Sequence, residues 1–94
     1  MAKPAPEWRD AARRDLLSIV DFISDDNLEA ALKLLGDIES KAEQLLQHPR
    51  LYKAGRVAGT REMLVRRNYV VVYEEKEERV TILRVLHSAQ LWPN

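Results

Sequence analysis

Pro49 separates two regimes of hydrophobic spacing, and that division limits what this chain can fold into. Before it, apolar residues recur at 8, 12, 16, 19, 20 and 23, and then at 31, 34, 35, 38, 42, 45 and 46. Spacings of three and four put each set on one face of an α-helix. After it the period falls to two, with Met63 and Val65 alternating against Glu62 and Arg66. Alternation of that kind places side chains on opposite faces of a strand. Helices followed by strands predict an α+β fold.

The first helix is expected over about 7–24. Asp25-Asp26-Asn27 interrupts it, and Asp26 with Glu29 three residues later reads as an acidic capping box for a second helix over about 27–48. Pro49 ends that helix because it disfavours helical geometry in the residue before it. Strands are expected over about 56–66, 69–75 and 79–87, the last apolar on both faces as for a strand covered on each side. The run Glu74–Glu78 reads as a solvated turn between the last two. The whole is one domain, 1–94, since so short a chain cannot enclose two cores. Its expected architecture is an N-terminal helical hairpin packed on a small antiparallel β-sheet.

The chain has no cysteine, which excludes disulfides and thiolate metal sites and leaves packing as the source of stability. No histidine pair at helical spacing and no convergent carboxylates suggest a metal, and the three glycines form no phosphate cradle. Any site is therefore expected to work without metal or cofactor. The N-terminus lacks the apolar run of a signal peptide and no stretch is long enough to span a bilayer, so a cytoplasmic protein with no membrane partner is expected.

The formal net charge is zero, but the charges are unevenly placed. Residues 1–48 carry ten acidic and six basic side chains, whereas residues 49–94 carry five and nine. A local basic surface can attract a polyanion on a neutral protein, because fields decay over about 8 to 10 Å. Lys53, Arg56, Arg66 and Arg67 are the candidate nucleic-acid contacts, with scattered solvated charge as the alternative. Histidine is the residue type suited to proton transfer near neutral pH, which makes His87 the natural general acid or base. Arg61 and Arg84 could stabilise a developing phosphoryl charge beside it. In a regular strand, however, Arg84 and His87 point to opposite faces, so a bulge or the strand end must bring them together. The alternatives are an ion pair between Arg84 and an acid from the first helix or Glu62, solvation for Arg61, and a backbone-bonded strand end for His87. His48 reads as a helix-end residue.

The helical motif W-x2-A-A-x2-DLL-x-IVDFI, the HPRLY break, the GTRE turn, YVVVY and the closing ILRVLHSAQLWP span nearly the whole chain. Together they resemble the RelE/ParE superfamily of toxins from type II toxin–antitoxin modules. The resemblance implies a growth-arresting toxin, neutralised by a small antitoxin and meeting operator DNA only through the antitoxin complex. In the RelE-like branch it implies a metal-independent endoribonuclease that cuts mRNA in the ribosome, with Arg61, Arg84 and His87 as the matching site residues. The neutral total charge, with only Lys53 and Arg56 before the hairpin, departs from the strongly basic ribonucleases of that branch. In the ParE-like branch the resemblance implies a non-enzymatic inhibitor of DNA gyrase. A degenerate toxin that only binds its antitoxin is the third possibility.

Overall fold

The computed structural model describes residues 5–90 together with Trp92 and Pro93. Its elements are β1 (Glu7–Trp8), α1 (Asp10–Ser24), α2 (Leu28–Gln44), β2 (Arg61–Val65), β3 (Tyr69–Lys76) and β4 (Arg79–His87). The strands form one sheet in the order β1-β4-β3-β2, antiparallel except for β1, which runs parallel to β4. Both helices lie on one face of it. There Leu34 and Ile38 of α2 and Leu45 just past its end meet Met63, Val71, Tyr73 and Ile82, while Leu16, Ile19 and Ile23 of α1 pack alongside. The fold is thus α+β, and the sheet is mixed where an antiparallel one was expected.

Trp8 matches the helical spacing of α1, yet Glu7 and Trp8 pair with Thr81 and Ile82 as an edge strand. Arg9 is extended and donates its N–H to the Ile82 carbonyl at 2.9 Å, so the helix starts only at Asp10. The cap of α2 is Asn27, whose Oδ1 accepts from the Ala30 N–H at 3.0 Å, rather than Asp26. The helix closes at Gln44, and Leu45, Leu46 and Gln47 tighten into i→i+3 turns ahead of Pro49. Residues 56–60 form a turn, with Gly59 at φ +83° and the Thr60 N–H bonded to the Val57 carbonyl, so β2 begins at Arg61. Ala54 bridges to Arg61 and lays the 53–56 segment along the outer edge of β2.

Between Val72↔Arg84 and Tyr73↔Ile82 the register slips, leaving Leu83 as an extra residue in β4. The slip reverses the alternation there. Val80 and Ile82 face the helices before it and Val85 does so after it, while Leu83 and Leu86 join Val70, Val72 and Trp92 in a small cluster on the opposite, open face.

The β3–β4 turn places Glu77 at φ +54° and Glu78 at φ +65°, a left-handed pair that suits asparagine and glycine better than glutamate. Replacing Glu77-Glu78 by Asn-Gly should raise the unfolding free energy by about 1 kcal/mol, read from urea melts. An unchanged midpoint would show that the two glutamates hold this turn without strain.

Candidate functional site

Arg84 has turned to the open face by way of the bulge, with its guanidinium carbon 5.5 Å from the centre of the Trp92 ring. It is held there from the strand edge. Asp15 of α1 accepts from its Nε at 2.7 Å and its Nη2 at 3.0 Å, and also takes the backbone N–H of Val85 at 2.9 Å. β1 ends its pairing at Ile82, so Asp15 does for Val85 what a neighbouring strand would otherwise do. The ion pair with an acid of the first helix is the arrangement found. Hydrogen bonding to Asp15 raises the Arg84 pKa further above its ordinary value, so the side chain stays charged.

His87 stands on the helix-facing side. Its residue pairs with Tyr69, the two rings meet edge to face at 5.7 Å, and its Nδ1 accepts the N–H of Ala89 at 3.1 Å. Arg61 is also on that side, opposite Tyr73, and donates to the Tyr52 carbonyl at 2.6 Å. Next to it the Tyr73 hydroxyl donates to the Pro49 carbonyl at 2.6 Å, and burial above all raises its pKa, keeping it a donor. These two bonds fasten the 49–54 connection to the sheet. Arg61 and His87 lie across β3 from Tyr73 and Tyr69, four residues apart along that strand, or about 13 Å. The structure therefore does not bring Arg61, Arg84 and His87 together: two are at opposite ends of one face and the third is on the other.

The basic stretch is largely neutralised from within. Arg56 is paired with Glu62, Arg66 with Asp37 and Arg50 with Glu75. Among the described residues, Lys53 and Arg67 of the candidate contacts make no ion pair. Also among the described residues, no group of three or more His, Asp or Glu side chains comes together where a metal could be held. No helix is long and apolar enough to cross a membrane, among the described residues.

Two features escaped the sequence. Glu62 is buried at 7% exposure in β2 and accepts the Arg56 N–H at 2.8 Å as well as its guanidinium. The alternating pattern put it on the polar side of a strand and gave no hint that a loop would cover it. The second is a groove of about 800 Å³ on the open face, between the loop carrying Leu51, Lys53 and Arg56 and the sheet positions Glu62, Leu64 and Val70. Leu51 and Leu64 are exposed in it.

A family model for the ParE toxin of the type II toxin–antitoxin system parDE matches residues 7–92. The chain belongs to the ParE toxin family. It is 30% identical to Y4kP of Sinorhizobium fredii strain NGR234, a protein named as a candidate toxin, over 99% of this chain and 97% of that one. Among solved structures it is similar to a chain of the chromosomal ParDE toxin–antitoxin system of P. aeruginosa, with TM-score 0.77, 24% identity, and coverage of 88% of this chain and 94% of the other. It also resembles a chain of the RelBE2 toxin–antitoxin complex of Mycobacterium tuberculosis, with TM-score 0.55, 27% identity, and coverage of 92% and 99%. HP0894 of Helicobacter pylori shares the fold at TM-score 0.61 and 13% identity, with 96% and 100% covered. The RelE/ParE-like toxin expected from the sequence motifs is what these likenesses establish.

Proposed function

We propose that this ParE-family toxin arrests growth by binding DNA gyrase, with no chemistry of its own, and is neutralised by a cognate antitoxin. The observation that carries the reading is the dispersal of Arg61, Arg84 and His87. Each makes a structural contact, and Arg84 and His87 occupy opposite faces of the sheet. Phosphodiester cleavage needs an acid or base and its cations within reach of one phosphate, at hydrogen-bonding distances. The internal pairing of Arg56 and Arg66 weakens the other requirement of a nucleic-acid surface, free cations along the backbone path. Likeness to a ParDE system supports the same side of the choice.

An antitoxin partner is supported by the ParDE and RelBE2 likenesses, both from toxin–antitoxin systems. The open-face groove, with Leu51, Leu64 and the cation of Lys53, fits a partner segment carrying apolar anchors and carboxylates.

Purified wild-type toxin should inhibit supercoiling by gyrase, and His87→Gln should inhibit within about twofold of it, the range of a surface substitution. Neither should cut mRNA on programmed ribosomes. Ribosomal cleavage by the wild type that disappears in His87→Gln, without gyrase inhibition, would reverse the reading in favour of an mRNA endonuclease.

A further inference from the structure

The hairpin of α1 and α2 extends past the sheet. α1 accompanies β4 in the same direction, from the Arg9–Ile82 bond to the Asp15–Val85 bond. Beyond Asp15 it continues for nine residues to Ser24, about 13 Å of helix, whereas β4 ends two residues beyond Val85, about 7 Å. The tip at residues 21–29 therefore overhangs the end of β4. Ile23 still packs against the core, but the other apolar side chains of the tip find none to enter: Phe22 is 79% exposed and Leu28 61%, and Leu32 one turn further is also exposed. An aromatic left in water on a projecting tip is the informative kind of exposure, since aromatics are enriched at the anchoring positions of interfaces.

The charge of the tip is equally one-sided. Asp21, Asp25, Asp26 and Glu29 lie within nine residues that contain no cation, and all four are exposed. Lys33, one turn on, reaches Glu29, and the other three make no ion pair among the described residues. A second copy would present the same carboxylates and be repelled from a tip-to-tip contact. The cation-bearing groove on the opposite side of the sheet suits an acidic antitoxin segment, and the tip does not. An enzyme that holds DNA must display fixed cations to its phosphates, and a carboxylate-rimmed apolar knob complements such a surface.

We infer that the hairpin tip is the surface by which this toxin engages gyrase, with Phe22 and Leu28 as apolar anchors and Asp21, Asp25, Asp26 and Glu29 steering it to a cationic, DNA-holding face of the enzyme. The inference rests on the gyrase reading above and adds where on the toxin that contact is made.

The test compares wild type with Phe22→Ser/Leu28→Ser and with Asp25→Asn/Asp26→Asn, each checked by thermal melting, in gyrase supercoiling and in binding to purified cognate antitoxin. The apolar variant should melt like the wild type, bind antitoxin within about twofold, and need about tenfold or more toxin for equal inhibition. The amide variant should lose part of its potency, with inhibition less sensitive to salt than in the wild type. If both variants inhibit like an active wild type, the tip is not the contact and the gyrase reading stands. If the apolar variant loses antitoxin binding in parallel with inhibition, the tip belongs to the antitoxin and the inference fails. A wild type that leaves gyrase untouched removes the functional reading and this inference with it.

Discussion

Replacing Asp15 by alanine is expected to lower the unfolding free energy by about 2 to 3 kcal/mol, at or just below the range for breaking a fully buried ion pair, because this one is only partly buried. Three hydrogen bonds end on this one carboxylate, two from Arg84 and one from the backbone N–H of Val85. The alanine variant leaves a guanidinium with only a quarter of its side chain exposed and an N–H without its partner at the strand edge. Arg84→Ala should cost less, about 1 to 2 kcal/mol, since Asp15 keeps its bond to Val85. Replacing both, as Asp15→Leu/Arg84→Met, should recover part of the loss, because apolar pairs of similar volume often substitute for buried ion pairs without cost. Urea unfolding of the four proteins measures these differences. A loss under about 0.5 kcal/mol in Asp15→Ala would demote the pair to a surface contact. The double variant also bears on function: once stable, it should inhibit gyrase like the wild type, whereas an endonuclease that used Arg84 on its substrate would be inactive.

The helices and the three long strands were legible because their apolar residues keep one period over many positions, and a period survives a misjudged end. The edges were not legible. Trp8 fits the helical stripe of α1 by spacing, and only the free edge of β4 makes an extended Glu7–Trp8 preferable. Asp26 and Asn27 are equally good caps on composition, and the chain path into α2 chose Asn27. The candidate site was legible only as a question. An arginine among Val80, Ile82, Leu86 and their neighbours requires a carboxylate or a substrate, and a sequence names both without choosing. The bulge at Leu83 decided which face Arg84 would take, and the path of α1 supplied Asp15. Neither is encoded in a local pattern. A bulge between Arg84 and His87 would unite them, but the one present falls before Arg84: it turns Arg84 to the open face, and the regular pairing from Arg84 to His87 leaves His87 beside Tyr69 on the other.

Glu62→Ala is expected to cost about 2 to 3 kcal/mol, because it removes a buried acceptor together with the partner of a cation. The carboxylate takes the Arg56 N–H at 2.8 Å and its Nε at 3.3 Å, which pins the 53–57 loop to the open face. The loop can lie this close only because residue 55 is glycine: a Cβ there would collide with the Thr60 hydroxyl and stand 3.2 Å from a Glu62 oxygen. The Gly55 N–H bonds the Thr60 carbonyl at 2.7 Å, which fixes the approach from the backbone as well. Gly55→Ala should therefore lift the same loop from the other side. Since both substitutions undo one contact surface, their combined loss should fall short of the sum by at least about 0.5 kcal/mol. Strict additivity in denaturant melts would show that Glu62 and Gly55 act separately. Freed from Glu62, Arg56 would also add a cation to a surface that the wild type keeps balanced, so Glu62→Ala should bind a generic polyanion more tightly, with the salt dependence steeper by about one released counterion. The same loop forms one wall of the groove assigned to the antitoxin, so antitoxin affinity should fall in both single variants while inhibition of gyrase, placed at the distant hairpin tip, should persist in whatever fraction remains folded.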